Sequence, residues 1–488
     1  MSPALLAAFV VAYFLILLFA AWLTSRKAGN EDFFIGGRKS HWMLVAFGMI
    51  GTSLSGVTFI SVPGAVGMDG FAYFQIILGH LIGYLVVAGV LLPLYYRLNL
   101  TSIYDYLGQR LGPGAYRTGA SFFILSRTLG ATARLYLVVN ILQATILDRL
   151  GVPFAATASL MLVMILLYTY EGGVKTIVWT DTLQTSCMLL GLIICAWFLM
   201  DRLNLDVSSS LDAMRSEGLS RLFVWDPDSR LFIVKQIVAG IFITIAMTGL
   251  DQEMMQKNIS VRTLRDSQKN MLVLAVVFAG VVLLFLFLGG LLHLFARQNG
   301  MTETGDALFP AVVLGHLPEL VQVIFVIALI SALFPSADGA ITALTASFCI
   351  DLLGMQKRDD WSSEHKKRIR QRVHLTFGAV FLLLVLGFKA INNPSMIGLI
   401  LKLAAYTYGP LLGLFAFGIL TRRSVRDGAV IWIALAAPLL CYVLNANQHH
   451  LFGSYQLGLE LLLLNGALTF AGLWSVSRPA EAGALAKA

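Results

Sequence analysis

Charge is what this sequence lacks most. Lysine, arginine, aspartate and glutamate make up 13% of its 488 residues, about half the share of a soluble globular chain. With 58% hydrophobic residues and a mean hydropathy of +0.78, that scarcity excludes a water-soluble enzyme. Cysteine is scarce too. Cys187, Cys195, Cys349 and Cys441 all lie inside apolar runs, and no pair has metal-ligand spacing, so they read as buried thiols. Ser/His and HExxH spacings are missing near any interruption of the apolar runs, which argues against a membrane-embedded enzyme. The net charge of +8 does not call for nucleic acid, because basic cytoplasmic loops account for such an excess in a membrane protein.

What is abundant is apolar runs of membrane-spanning length, and these make the chain a polytopic all-α membrane protein. Thirteen candidate spans fall at about 4–23, 41–62, 71–96, 118–143, 153–169, 176–200, 231–250, 271–296, 319–350, 373–390, 396–420, 428–446 and 458–476. The first has no basic n-region and no small-residue cleavage site, so it is expected to be a retained span. Lysine and arginine test the topology, since they stay on the cytoplasmic side. With the N-terminus outside, inner loops hold 24 of the 35 basic residues and outer loops hold 6. The loop "RDDWSSEHKKRIRQR" at 358–372 contributes heavily. The asymmetry predicts an outside N-terminus, an inside C-terminus and an odd number of spans.

Two segments interrupt the apolar pattern. "GMIGTSLSGVTFISVPG" (Gly48 to Gly64) lies in the second span, and "AMTGLDQEMMQ" (Ala246 to Gln256) ends the seventh. Glycine, proline and hydroxyl residues weaken a helix interior, and the glycines together with Pro63 predict a break in the second span. The two segments are five spans apart, an odd number, so residues 41–200 and 231–421 would form two inverted halves. The 4–23 span and the two C-terminal spans of 428–476 would then stand outside the repeat. Paired interruptions in inverted halves point to the binding site of a secondary transporter.

Five stretches, in order, resemble the sodium:solute symporter family. They are "PLYYRLNLTSIYDYLGQRLG" (Pro93 to Gly112), "EGGVKTIVWTDTLQ" (Glu171 to Gln184), "QKNISVRTLRDSQKN" (Gln256 to Asn270), "ADGAITALTASFCIDL" (Ala337 to Leu352) and "YGPLLGLFAFGILTRR" (Tyr408 to Arg423). The resemblance implies a leucine-transporter-type 5+5 inverted repeat with thirteen helices, Na+ as the coupling ion and no enzymatic activity. It also implies a sodium site built from carbonyls matching Gly51 and Leu54, a carbonyl matching Ala332, and two hydroxyl positions matching Pro335 and Ser336. Pro335 is a departure, because proline brings no hydroxyl. It either kinks the span and nothing more, or leaves a site completed by the released Ser331 carbonyl or by water.

Two carboxylates, Asp181 and Asp338, lie within apolar stretches. Each costs at least ~2.5 kcal/mol at the middle of a lone helix and needs a partner. In the sialic acid branch of the family a second sodium site joins a position matching Asp181 to positions matching Asp338 and Gly339. The resemblance offers the pair as a second cation site; a shared proton or an ion pair with a basic residue is equally open. Ser55 and Thr58 match solute-contacting hydroxyls of that branch, and Gln75 lies near a glutamine it uses. Asp251 and Gln252, at the second interruption, are further solute candidates. Arg127 and Arg134 fall seven residues apart on one face of the fourth span. A guanidinium in a membrane must face a carboxylate or an aqueous cavity, so each arginine meets either a carboxylated solute or one of Asp181, Asp251 and Asp338.

The expected function is a sodium-coupled symporter that takes up a small solute by alternating access, the solute being carboxylated, of the sialic or sugar acid type. A neutral sugar or polyol, or coupling to protons, are the alternatives. A membrane sensor domain is a different class, and the short tail after the last span argues against an attached kinase. The expected setting is the inner membrane of a bacterium, crossed many times, with the protein acting as a monomer on sodium and a small molecule and not on nucleic acid.

Overall fold

Backbone amides and carbonyls in a bilayer find no water, so each apolar run must satisfy them internally. The computed structural model shows that outcome; it describes residues 3–25, 30–170, 172–391, 396–453, 455 and 457–479. Arg26, Lys27, Glu171 and the 480–488 tail fall outside the described residues. The first apolar helices are α1 (Pro3–Ser25), α2 (Trp42–Asp69), α3 (Phe74–Arg97), α4 (Pro113–Leu142), α5 (Phe154–Thr169) and α6 (Gly173–Leu203). Then come α7 (Ile233–Gly249), α8 (Gln252–Ile259), α9 (Leu264–Gln298) and α10 (Glu319–Leu352). The last are α11 (Ser363–Ile391), α12 (Met396–Leu420), α13 (Asp427–Ala446) and α14 (Leu461–Ser475).

Ten of these helices are long and apolar enough to cross a membrane, and α7 with α8 makes an eleventh, bent span. At 16 and 15 residues, α5 and α14 fall short of the roughly 17–25 that a crossing needs. Length alone therefore supports eleven crossings, against the thirteen apolar runs. Large side chains such as Phe19 on α1 and Trp432 on α13 point outward, as a lipid-facing surface requires. The interior is formed by α2 packed on α6, α9 and α10, with α3 lying along α7. A Cβ at Gly79 would run into the Ile237 carbonyl, and one at Gly240 into the Ile76 carbonyl. Paired glycines thus let α3 and α7 touch backbone to backbone.

Both sequence interruptions are breaks. In α2 the break is at Ser55, where φ is 42° and ψ is 163°, a conformation that costs a non-glycine residue about 1–3 kcal/mol. Gly56 follows; a Cβ there would strike Val138 of α4 and lie 3.6 Å from Cα of Leu333 in α10. Three helices meet at this point because position 56 has no side chain. Pro63, expected to help open the break, instead sits within the continuous second half of α2. In the other interruption the chain bends by 64° between α7 and α8. The expected loop after residue 250 is therefore a helix that stays inside the protein, with Asp251 capping it by accepting from the Met254 amide at 3.1 Å. At one end of the bundle the Ser40 amide donates to the Ser260 carbonyl, and at the other the Phe71 amide donates to the Arg221 carbonyl. These are the Ser40 end and the Phe71 end below.

Candidate solute and cation site

The two breaks lie against one another and enclose a cavity of 130 Å³. From α2 it is lined by Thr52, Ser55 and Thr58, and from α4 by Arg127 and Arg134. Thr244 and Thr248 of α7 and Met254 of α8 close the far wall, with Tyr73 and His80 toward the Phe71 end. Small hydroxyls and two guanidinium groups make this an oxygen-accepting and anion-accepting space.

The two arginines differ in what they already hold. Arg127 is buried, its Nε donates to Glu253 Oε2 at 2.5 Å, and Asp251 lies 3.9 Å away. Asp251 in turn accepts from the Tyr408 hydroxyl at 2.5 Å. Arg134 lines the cavity yet makes no hydrogen bond or ion pair with any described residue. Beside this pair, Lys257 of α8 places its Nζ 2.8 Å from Asp181 Oδ2 and 2.7 Å from Thr52 Oγ1, with Glu253 3.8 Å off. A buried layer of ion pairs thus runs Arg127, Glu253, Lys257, Asp181. Arg127 and Thr52 belong both to this layer and to the cavity wall. The layer therefore separates the cavity from the Ser40 end, where α8 finishes at Ile259.

Of the residues singled out in the sequence, Ser55, Thr58, Arg127 and Arg134 share the cavity. Gln75 lies elsewhere: its side chain donates to the Leu231 and Ala72 carbonyls and accepts from the Val224 amide. Gln252 is held by the Ile103 amide and the Thr101 carbonyl. Both glutamines are occupied in joining segments of backbone. Asp181 and Asp338 are both fully buried, and they have separate partners. Lys257 sits on the first, while the second accepts from the Tyr168 hydroxyl at 2.7 Å and from the Gly339 amide. Glu253 and Lys257 are not among the residues that the sequence singles out, because the apolar pattern of the seventh span ends at about residue 250, before both. Their i, i+4 spacing in a segment that follows a break was the available signal.

The expected sodium residues Gly51, Leu54, Ala332, Pro335 and Ser336 are all buried. A break such as that at Ser55 is how interrupted spans free carbonyls of the preceding turn as cation ligands. Across from them a Cβ on Gly51 would lie 3.5 Å from Pro335 Cγ and would collide with Thr185 Oγ1. Thr185 Oγ1 occupies that space, buried and without a hydrogen-bond partner among the described residues. Ser336 Oγ donates to the Leu333 carbonyl at 2.8 Å and keeps its lone pairs free. Buried oxygen donors brought together where Gly51 lacks a side chain fit a hard cation.

The sodium:solute symporter family profile matches residues 33–435. The sodium/sialic acid symporter of Aliivibrio fischeri is 24% identical over 93% of this chain and 90% of its own. Mouse sodium-coupled monocarboxylate transporter 1 is 26% identical, covering 86% of this chain and 71% of its own. Among solved structures, a Na+-coupled sialic acid symporter in a substrate-bound, outward-open state superposes with a TM-score of 0.82. It is 17% identical, covering 97% of this chain and 99% of that one.

Proposed function

The chain belongs to the sodium:solute symporter family, and from that membership we propose that this sodium-coupled membrane transporter takes up a small carboxylated solute. The observation that carries the solute class is Arg134, a guanidinium facing the cavity with no hydrogen-bond or ion-pair partner among the described residues. A charge left so in a membrane interior is costly, and a carboxylate delivered by the solute is the complementary group. Ser55, Thr58 and Thr248 line the same space and supply hydrogen bonds to the solute's oxygens. Relatives named for a sialic acid and for monocarboxylates lend weight to an acid.

The coupling follows from the shared break. Sodium held by the carbonyls of Gly51 and Leu54, with Ala332 and Ser336, fixes the turn of α2 that precedes Ser55, and Ser55 contacts the solute. Each ligand then stabilises the geometry that the other needs, which is a coupling free energy between sites. With the N-terminus outside, as the basic loops favour, the Ser40 end is cytoplasmic. The Arg127–Glu253 and Lys257–Asp181 pairs close that side and must part for release inward. The halves 41–200 and 231–421 supply the two moving bodies.

A thermal-unfolding panel of purified protein checks the solute class. N-acetylneuraminate, gluconate and lactate would be compared with their uncharged amides and with glucose, each in sodium and in potassium. At least one acid is expected to stabilise the protein in sodium only, and its amide is expected to do nothing. Stabilisation by glucose with silence from every acid would replace the acid by a neutral sugar.

A further inference from the structure

The position expected to bring a hydroxyl to the sodium ion is Pro335, whose ring brings none. Thr185, on the neighbouring helix α6, approaches the same point: a Cβ on Gly51 would collide with Thr185 Oγ1 and lie 3.5 Å from Pro335 Cγ. The Thr185 side chain is fully buried, and Oγ1 has no hydrogen-bond partner among the described residues. Other hydroxyls of the same helix behave differently. Thr180 donates to the Thr176 carbonyl at 3.3 Å, Thr182 to that of Val178 at 2.7 Å, and Ser186 to that of Thr182 at 2.8 Å. That back-bond to residue i−4 is the ordinary resort of a hydroxyl within a helix. Thr185 forgoes it, and a buried hydroxyl left without a partner carries an uncompensated desolvation cost. Gly51 is the third member of the group. A Cβ there would touch both Thr185 Oγ1 and the Pro335 ring, so glycine keeps open the space into which the hydroxyl points.

We propose that Thr185 Oγ1 is a ligand of the coupled sodium ion, replacing from α6 the hydroxyl that Pro335 cannot offer from α10. The three positions work together: proline removes one oxygen donor, threonine supplies another across the gap, and glycine clears the room between them. A hydroxyl oxygen has two lone pairs, so ion binding satisfies the orphaned atom without breaking any existing hydrogen bond. The inference rests on the sodium site at Gly51, Leu54, Ala332 and Ser336 and is independent of the solute.

Sodium alone is therefore the probe. Full-length purified protein is titrated with NaCl at constant ionic strength in choline chloride, and thermal unfolding reports the sodium concentration for half-maximal stabilisation. Thr185→Val keeps the shape and removes the oxygen, and it is expected to raise that concentration at least tenfold. Thr185→Ser should stay within about threefold of the parent. The double variant Thr185→Val with Pro335→Ser should recover most of the affinity by returning a hydroxyl to α10. If Thr185→Val does not fold, Thr185→Ala is measured in the same way. Unchanged sodium affinity in the hydroxyl-free variants would overturn the role of Thr185 while leaving sodium coupling intact. No sodium-dependent stabilisation of the parent would overturn the sodium site and the inference with it.

Discussion

Replacing Arg134 with glutamine is expected to weaken binding of the acid solute by about 100-fold, roughly 2.7 kcal/mol. Truncating one member of a buried, hydrogen-bonded charge pair costs on the order of 2–5 kcal/mol, and Arg134 has no second partner to share that loss. Sodium affinity measured without solute should change little, because none of the sodium residues is bonded to Arg134. Arg134→Lys keeps the charge and discards the planar fork, so it should retain an intermediate affinity. The contrast is Arg127→Gln. Arg127 is held by Glu253, so its loss leaves that buried carboxylate only Lys257, 3.8 Å away, and should lower stability before it lowers affinity. Isothermal titration of the acid against the three purified variants, alongside their unfolding temperatures, separates the two roles. Equal loss of acid binding in Arg127→Gln and Arg134→Gln, at unchanged stability, would remove the distinction between the two arginines.

Lys257→Met is expected to destabilise the protein by about 3–5 kcal/mol, the usual cost of removing one partner from a buried ion pair. The ammonium is 3% exposed, and its Asp181 partner is fully buried. Without it Asp181 keeps no ion-pair partner among the described residues, while Glu253 stays with Arg127, and Thr52 loses its donor. The double change Lys257→Met with Asp181→Asn should recover most of the stability, because a neutral pair needs no compensation. Unfolding by titration with sodium dodecyl sulfate, read by helical circular dichroism, measures both. If the single variant matches the parent, the ammonium is not holding the layer together.

Composition was enough to place this chain in a bilayer, since no soluble fold survives so few charges and so many long apolar runs. The two irregular segments were also legible, because glycine, serine and proline in an apolar helix announce a break. Its location within the helix was not. Ser55 takes a positive φ next to Gly56, on which α4 and α10 close in, a tertiary setting that local propensity does not record. The arginines were visible as charges in the wrong solvent. Asp251 was among the partners expected for Arg127, but that arginine's principal partner Glu253, and Lys257 beside it, were not legible, because both sit beyond a 64° bend that hydropathy reads as the end of a span. Thr185 carries no sequence signal of its own. One threonine among several on α6 becomes distinctive only when its neighbours' hydrogen bonds are seen.

Sodium-driven uptake measures the central claim most directly. Protein reconstituted into liposomes would be given radiolabelled N-acetylneuraminate, or whichever acid stabilises it in the thermal panel, under an inward sodium gradient. Uptake above the external concentration is expected, collapsing when potassium or choline replaces sodium and absent with Arg134→Gln. Accumulation that proceeds equally without sodium, or survives the loss of Arg134, would contradict sodium-coupled transport of a carboxylated solute through this cavity.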